Sequence, residues 1–162
     1  MADPWDFNTS SPDFMPERAA GYNNVKTLLQ LTTEYNPQLA SFSNNAGASQ
    51  QTQLCNIAQA SLFRGGSLTI IGAATCANDK IIVTLDSEEI FNDSLQNMLN
   101  TWQVFDGERA IYLRCMDSTN FIYTVAFRAG LDFNSTFVVK YEETYGRNPS
   151  LNFAVLYSPI PT

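Results

Sequence analysis

The sequence predicts an all-β chain, an antiparallel β-sandwich of jelly-roll type with one short helix and an extended N-terminal arm, on three observations. From residue 58 onward, β-branched and aromatic residues recur with the period of two that sends alternate side chains to opposite faces of a strand. The clusters Asp106-Gly107, Asp117-Ser118-Thr119 and Gly146-Arg147-Asn148-Pro149 punctuate those runs with turn-forming residues. A single helical period stands near the start, behind a proline-rich stretch. Many short strands after one helix fit two sheets packed face to face, with side chains meeting between them.

The elements follow in order. Residues 1–20 hold Pro4, Pro12 and Pro16 among polar residues and read as an extended arm, in which Trp5, Phe7 and Phe14 are candidate anchors on a neighbouring subunit or on the arm's own domain. Residues 21–162 read as one sandwich domain. Val25, Leu28, Leu29 and Thr32 follow the i, i+3, i+4, i+7 spacing of an amphipathic helix over residues 22–35, stopped before Pro37. Residues 40–54 are small, polar and aperiodic, which predicts a long surface loop. In 61–73, Gly65-Gly66 divides two apolar clusters and predicts a bulge or a close backbone approach. The run 81–85 is of the buried-strand type. Residues 87–99 fit either a loop carrying a helical turn or an irregular edge. Strands are then expected at 102–105, 110–114, 120–128, 134–141 and 151–157.

Composition limits the function. The 162 residues are 44% hydrophobic and 15% charged, so the chain folds, and its surface is largely neutral and polar. A net charge of -7, with nine scattered basic residues, argues against direct nucleic-acid binding, whose affinity comes from Lys and Arg on phosphates. With no histidine, a Ser-His-Asp triad, a Cys-His pair and a His-bearing zinc site are excluded. Cys55, Cys76 and Cys115 are distant and odd in number, and are expected to be reduced, buried thiols. With no leader-like start and no long apolar run, the expectation is a soluble chain with no membrane partner.

Candidate chemistry is thin. Glu88-Glu89 and Glu142-Glu143 are adjacent pairs whose members point to opposite faces of a strand, and they read as solvated surface charge. Asp86, Asp93, Asp106, Asp117 and Asp132 lie near strand ends but lack the DxDxDG spacing of a calcium loop, and are expected to organise turns. The sequons at Asn8, Asn92 and Asn134 carry no weight without a secretory route. No catalytic, metal or cofactor site is expected.

Three segments carry a resemblance. They are the leucine-bearing helix 25–35, the strand Leu62-Phe-Arg-Gly-Gly-Ser-Leu-Thr-Ile70 and the stretch Phe127-Arg-Ala-Gly-Leu-Asp-Phe133. In this order they resemble the C-terminal portion of the jelly-roll capsid proteins of picorna-like viruses, including insect dicistroviruses and iflaviruses and their algal relatives. The motif positions are Arg64, Gly65, Ser67, Arg128, Gly130, Asp132 and Phe133. The chain departs from that pattern in its proline-rich start, in Leu131 standing before Asp132, and in the thirty or so residues that follow. The resemblance implies a shell subunit, shortened or cleaved from a precursor, in a virion, with other copies or other capsid subunits as partners and a host receptor or glycan as a further one. Without it, the expectation is a cytoplasmic sandwich. A carbohydrate- or receptor-binding module is the alternative, and would display Trp102, Tyr112 or Tyr145 beside Asp and Asn. An enzyme would need two distant carboxylates meeting in a cleft. Arg64 and Arg128 are expected to brace loops or carboxylates.

Overall fold

The computed structural model describes residues 37–101 and 109–160, which belong to one compact unit. The arm with Trp5, Phe7 and Phe14, the helix expected over 22–35, the strand at 102–105 and the turn at Asp106-Gly107 lie outside the described residues.

Nine strands and one short helix are described: β1 (Gln38–Asn45), β2 (Gln51–Ile57), β3 (Ser61–Ile71), β4 (Lys80–Leu85), β5 (Glu88–Ser94), α1 (Leu95–Asn100), β6 (Ile111–Asp117), β7 (Ile122–Phe127), β8 (Phe137–Glu142) and β9 (Ser150–Pro159). One sheet has the order β1-β9-β3-β7-β6 and the other β2-β8-β4-β5, with every pairing antiparallel. Late strands are inserted between early ones, β9 between β1 and β3 and β8 between β2 and β4. This is the strand order of a jelly roll, with β6 added at one edge.

The alternation dictates the packing. Leu68 and Ile70 of β3, Tyr123 and Val125 of β7, and Phe153 and Val155 of β9 turn inward from the five-stranded sheet, where they meet Ile81 and Val83 of β4 and Val139 and Tyr141 of β8. Phe137 bridges the layers, its ring 5.0 Å from Phe63 and 5.5 Å from Phe133.

Two expectations are corrected and one is resolved. Residues 40–54 are not a loop: β1 pairs with β9 from Gln38↔Tyr157 to Asn45↔Ser150, and β2 pairs with β8. Both are edge strands, so only Ala40 and Phe42 of β1 pack toward the core and the rest is free to be polar. Cys115 is exposed, whereas Cys55 and Cys76 are buried. The ambiguous stretch 87–99 divides at Ser94, whose hydroxyl accepts from the backbone N–H of Asn97 and caps α1. Among the described residues, no helix is long and apolar enough to cross a membrane.

Candidate functional site

The two sequence motifs meet at one end of the sandwich. In β3 the register against β9 shifts between Phe63 and Gly65, leaving Arg64 as the extra residue of a bulge, and Gly65 takes φ +124°. Gly66 serves the other purpose: a Cβ there would lie 2.4 Å from Val155 Cγ1 and 2.5 Å from the Ala154 carbonyl. The 128–133 stretch packs beside this bulge. Asp132 Oδ1 accepts from the Phe63 N–H at 2.8 Å, and Ser61 and Phe133 form an isolated antiparallel bridge. Arg64 Nε donates to Ser158 Oγ at 3.2 Å, so it braces β9 through a hydroxyl and not a carboxylate. Gly130 turns the chain with φ +101°, and the Arg128 N–H donates to Ala110. Ser67 stands apart, in mid-strand between Ala126 and Ala154. Arg64, Gly65, Gly130, Asp132 and Phe133 are thereby one local structure.

A second constellation, at the opposite end, went unread in the sequence. Asp79, buried just before β4, accepts from the Tyr141 hydroxyl, from Thr144 N–H at 3.1 Å and Oγ1 at 2.8 Å, and from Arg147 Nη2 at 2.9 Å. Glu143 follows the last residue of β8 and turns into the loop cluster. It accepts from the N–H groups of Ser49, Tyr145, Gly146 and Arg147, and from Arg147 Nε at 3.2 Å. Glu143 is therefore not a solvated surface charge, as the sequence led us to expect, but is 2% exposed. Glu142, on the opposite face, stays half-buried and pairs with Lys80 at 3.7 Å.

These bonds set the electrostatics. Burial opposes ionisation of Glu143, yet the backbone N–H groups of Ser49, Tyr145, Arg147 and Gly146 hold its carboxyl down, to about 2. Burial pushes the Cys76 thiol up to about 11, and the Asp79 carboxylate adds to the shift. Burial likewise takes Cys55 to about 12, so both thiols stay protonated and inert at neutral pH. The Tyr141 hydroxyl is raised by burial and then by its bond to Asp79. Chemically, two carboxylates and one guanidinium stitch the β1–β2, β3–β4 and β8–β9 connections into one rigid surface.

The other aspartates organise turns. Asp86 and Ser87, both at positive φ, close the β4–β5 hairpin, and the Asp86 carboxylate accepts from the N–H groups of Asn134, Ser135 and Thr136. Those three bonds, Asn134 first, hold its carboxyl well below the usual range. Asp117 accepts from Thr119 and Asn120, and Asp93 accepts from Asn97 Nδ2. Among the described residues, no group of three or more His, Cys, Asp and Glu is placed to hold a metal.

The outer faces of the two sheets differ in charge. Across the five-stranded sheet, the outward positions form the rows Ser41-Ala154-Ser67-Ala126-Tyr112 and Ser43-Asn152-Thr69-Thr124-Cys115, with Leu39 beside Leu156. Neither row contains a charged side chain, and the members bond one another, Ser43 Oγ to Asn152 Oδ1 at 2.8 Å. A third outward row, Asn45-Ser150-Ile71-Ile122-Asp117, ends on a carboxylate at the β6 edge, and the other margins hold Arg64 in the β3 bulge and Arg114 in the bulge of β6. The outer face of the four-stranded sheet instead presents Lys80, Lys140, Glu142 and Glu89.

No family model matches this chain, and no curated protein matches it.

Proposed function

We propose that the chain is a structural protein that self-assembles or co-assembles into a virus capsid, acting as a shell subunit or part of one and not as an enzyme. The observation that carries the reading is the uncharged centre of the outer face of the five-stranded sheet, whose charged residues, Arg64, Arg114 and Asp117, stand at its margins. The chain has a net charge of -7, so contact between two copies is least opposed where the surface is poor in carboxylates, as at the centre of this face. The rows of Ser, Thr, Ala and Asn are short side chains that lose little rotamer entropy when covered. Among the described residues, β1, β6 and β2 are sheet edges, and edge strands favour pairing with another chain. The jelly-roll order and the meeting of the Arg64 and Asp132 motifs support the same reading, through the resemblance to capsid subunits. On it the partners are other copies or other capsid subunits, the location is the virion, and direct binding to nucleic acid has no part.

The test is size-exclusion chromatography with light scattering across salt and pH, followed by electron microscopy of any large species. Rings or particles are expected, and Thr69→Glu or Ala154→Glu is expected to disperse them without altering the circular dichroism spectrum. A chain that stays monomeric at high concentration would sink self-assembly as its primary role.

A further inference from the structure

Tyr145 is 61% exposed, yet its ring is held in place. The Arg147 guanidinium lies 4.7 Å from the ring centroid, the Asn78 amide donates to the phenolic oxygen, and the Tyr145 backbone N–H is bonded to Glu143 at 2.9 Å. With Thr75, Asn78 and Arg147 the ring lines an open cleft of about 360 Å³, the volume of a small-ligand site. We infer that this cleft binds a neutral saccharide, a site that goes beyond the shell reading and does not depend on it.

Three features select that ligand. An exposed aromatic ring offers an apolar platform, and the ligand must offer an apolar face in return. Asn78, exposed beside the ring, keeps its second amide N–H and its carbonyl for hydrogen bonds at the ligand's edge, and the Thr75 hydroxyl, already bonded to the Tyr123 hydroxyl and the Ala77 N–H, retains one further position. The charge in the floor is already compensated: Arg147 is bonded to both Asp79 and Glu143, one cation against two carboxylates, so a phosphate or carboxylate ligand meets no free positive charge. A pyranose has an apolar C–H face and a rim of hydroxyls and bears no charge. Because the Asp79 and Glu143 bonds fix the loop before the ligand arrives, little ordering entropy is lost on binding.

The experiment is saturation-transfer NMR on the full chain with methyl β-galactoside, methyl α-glucoside and methyl α-mannoside, with sialic acid as the anionic comparison and lactose as a short glycan. At least one neutral glycoside is expected to receive transfer, and sialic acid is not. Tyr145→Ala should weaken binding roughly tenfold, while Tyr145→Phe, which keeps the ring, should retain most of it. Tighter binding of lactose than of the methyl glycoside would mark a glycan chain as the source, and equal binding a free sugar; both support the site. Absence of transfer from every neutral glycoside, a preference for sialic acid, or unchanged binding in Tyr145→Ala would overturn it.

Discussion

Arg147 Nη2 lies 2.9 Å from Asp79 Oδ1, joining two residues 68 positions apart in the chain. Asp79 is fully buried, and the same guanidinium reaches Glu143 through Nε, so one cation serves two enclosed carboxylates. Removing one partner from such a group leaves uncompensated charge inside the fold, at a cost of about 3–5 kcal/mol. Arg147→Met is expected to lower the unfolding free energy by that amount, seen as a lower urea midpoint with little change in the denaturant slope. Adding Asp79→Asn should cost less than the sum of the two single changes, since the second removes a charge the first left unpaired.

Acid should act through the same loops. Glu143 titrates near 2 in the folded chain against 4.5 for an ordinary glutamate, so the unfolded chain takes up this proton first as pH falls. The stability Glu143 contributes is complete above about 4.5 and is lost as pH falls toward 2. Asp86 and Asp117 are shifted in the same direction, by backbone donors led by Asn134 and by the Asn120 side chain respectively. The chain contains no histidine, so thermal midpoints are expected to be level between about pH 5 and 7 and to drop below that range. Glu143→Gln should make the acid limb shallower, which calorimetry across pH would show.

What was legible in the sequence follows from the distance over which each signal acts. Alternation is local, and it placed Leu68 and Ile70, the run 81–85 and the three late strands β7, β8 and β9. The same signal failed at β1, where an edge strand with polar residues on most of its positions looks like a loop. Gly65-Gly66 signalled a bulge or a close approach, and the two glycines divide these roles between them. Glu143 was misread because a Glu-Glu pair at a strand end does not reveal that its second member enters a ring of backbone donors. Nothing near Asp79 points to Arg147, because that pairing is made by the fold.

Gly66 tests the packing of β3 on β9. An alanine Cβ at this position would sit 2.5 Å from the Ala154 carbonyl, which is backbone and cannot rotate away. Gly66→Ala is expected to destabilise the chain by about 1–3 kcal/mol, as overpacked sites do, and to loosen the β3–β9 ladder in hydrogen exchange. Gly65→Ala acts by a different route, strain at φ +124°, with a cost also of about 1–3 kcal/mol but no steric displacement of β9.

Asp132 tests whether the two motif segments form one structure. Its carboxylate accepts from the Phe63 N–H at the edge of the bulge, where the ladder to β9 breaks register. Asp132→Ala removes that acceptor while Phe63 and Phe133 stay buried, and a donor left unbonded in such surroundings costs about 1–3 kcal/mol. Asp132→Asn keeps an oxygen in the same place and should restore most of the loss, which separates the hydrogen bond from the charge. In exchange measurements the Phe63 amide should accelerate in the alanine variant and stay protected in the asparagine one. Acceleration in both would mean that the carboxylate's charge, and not its place as an acceptor, holds the 128–133 stretch against β3.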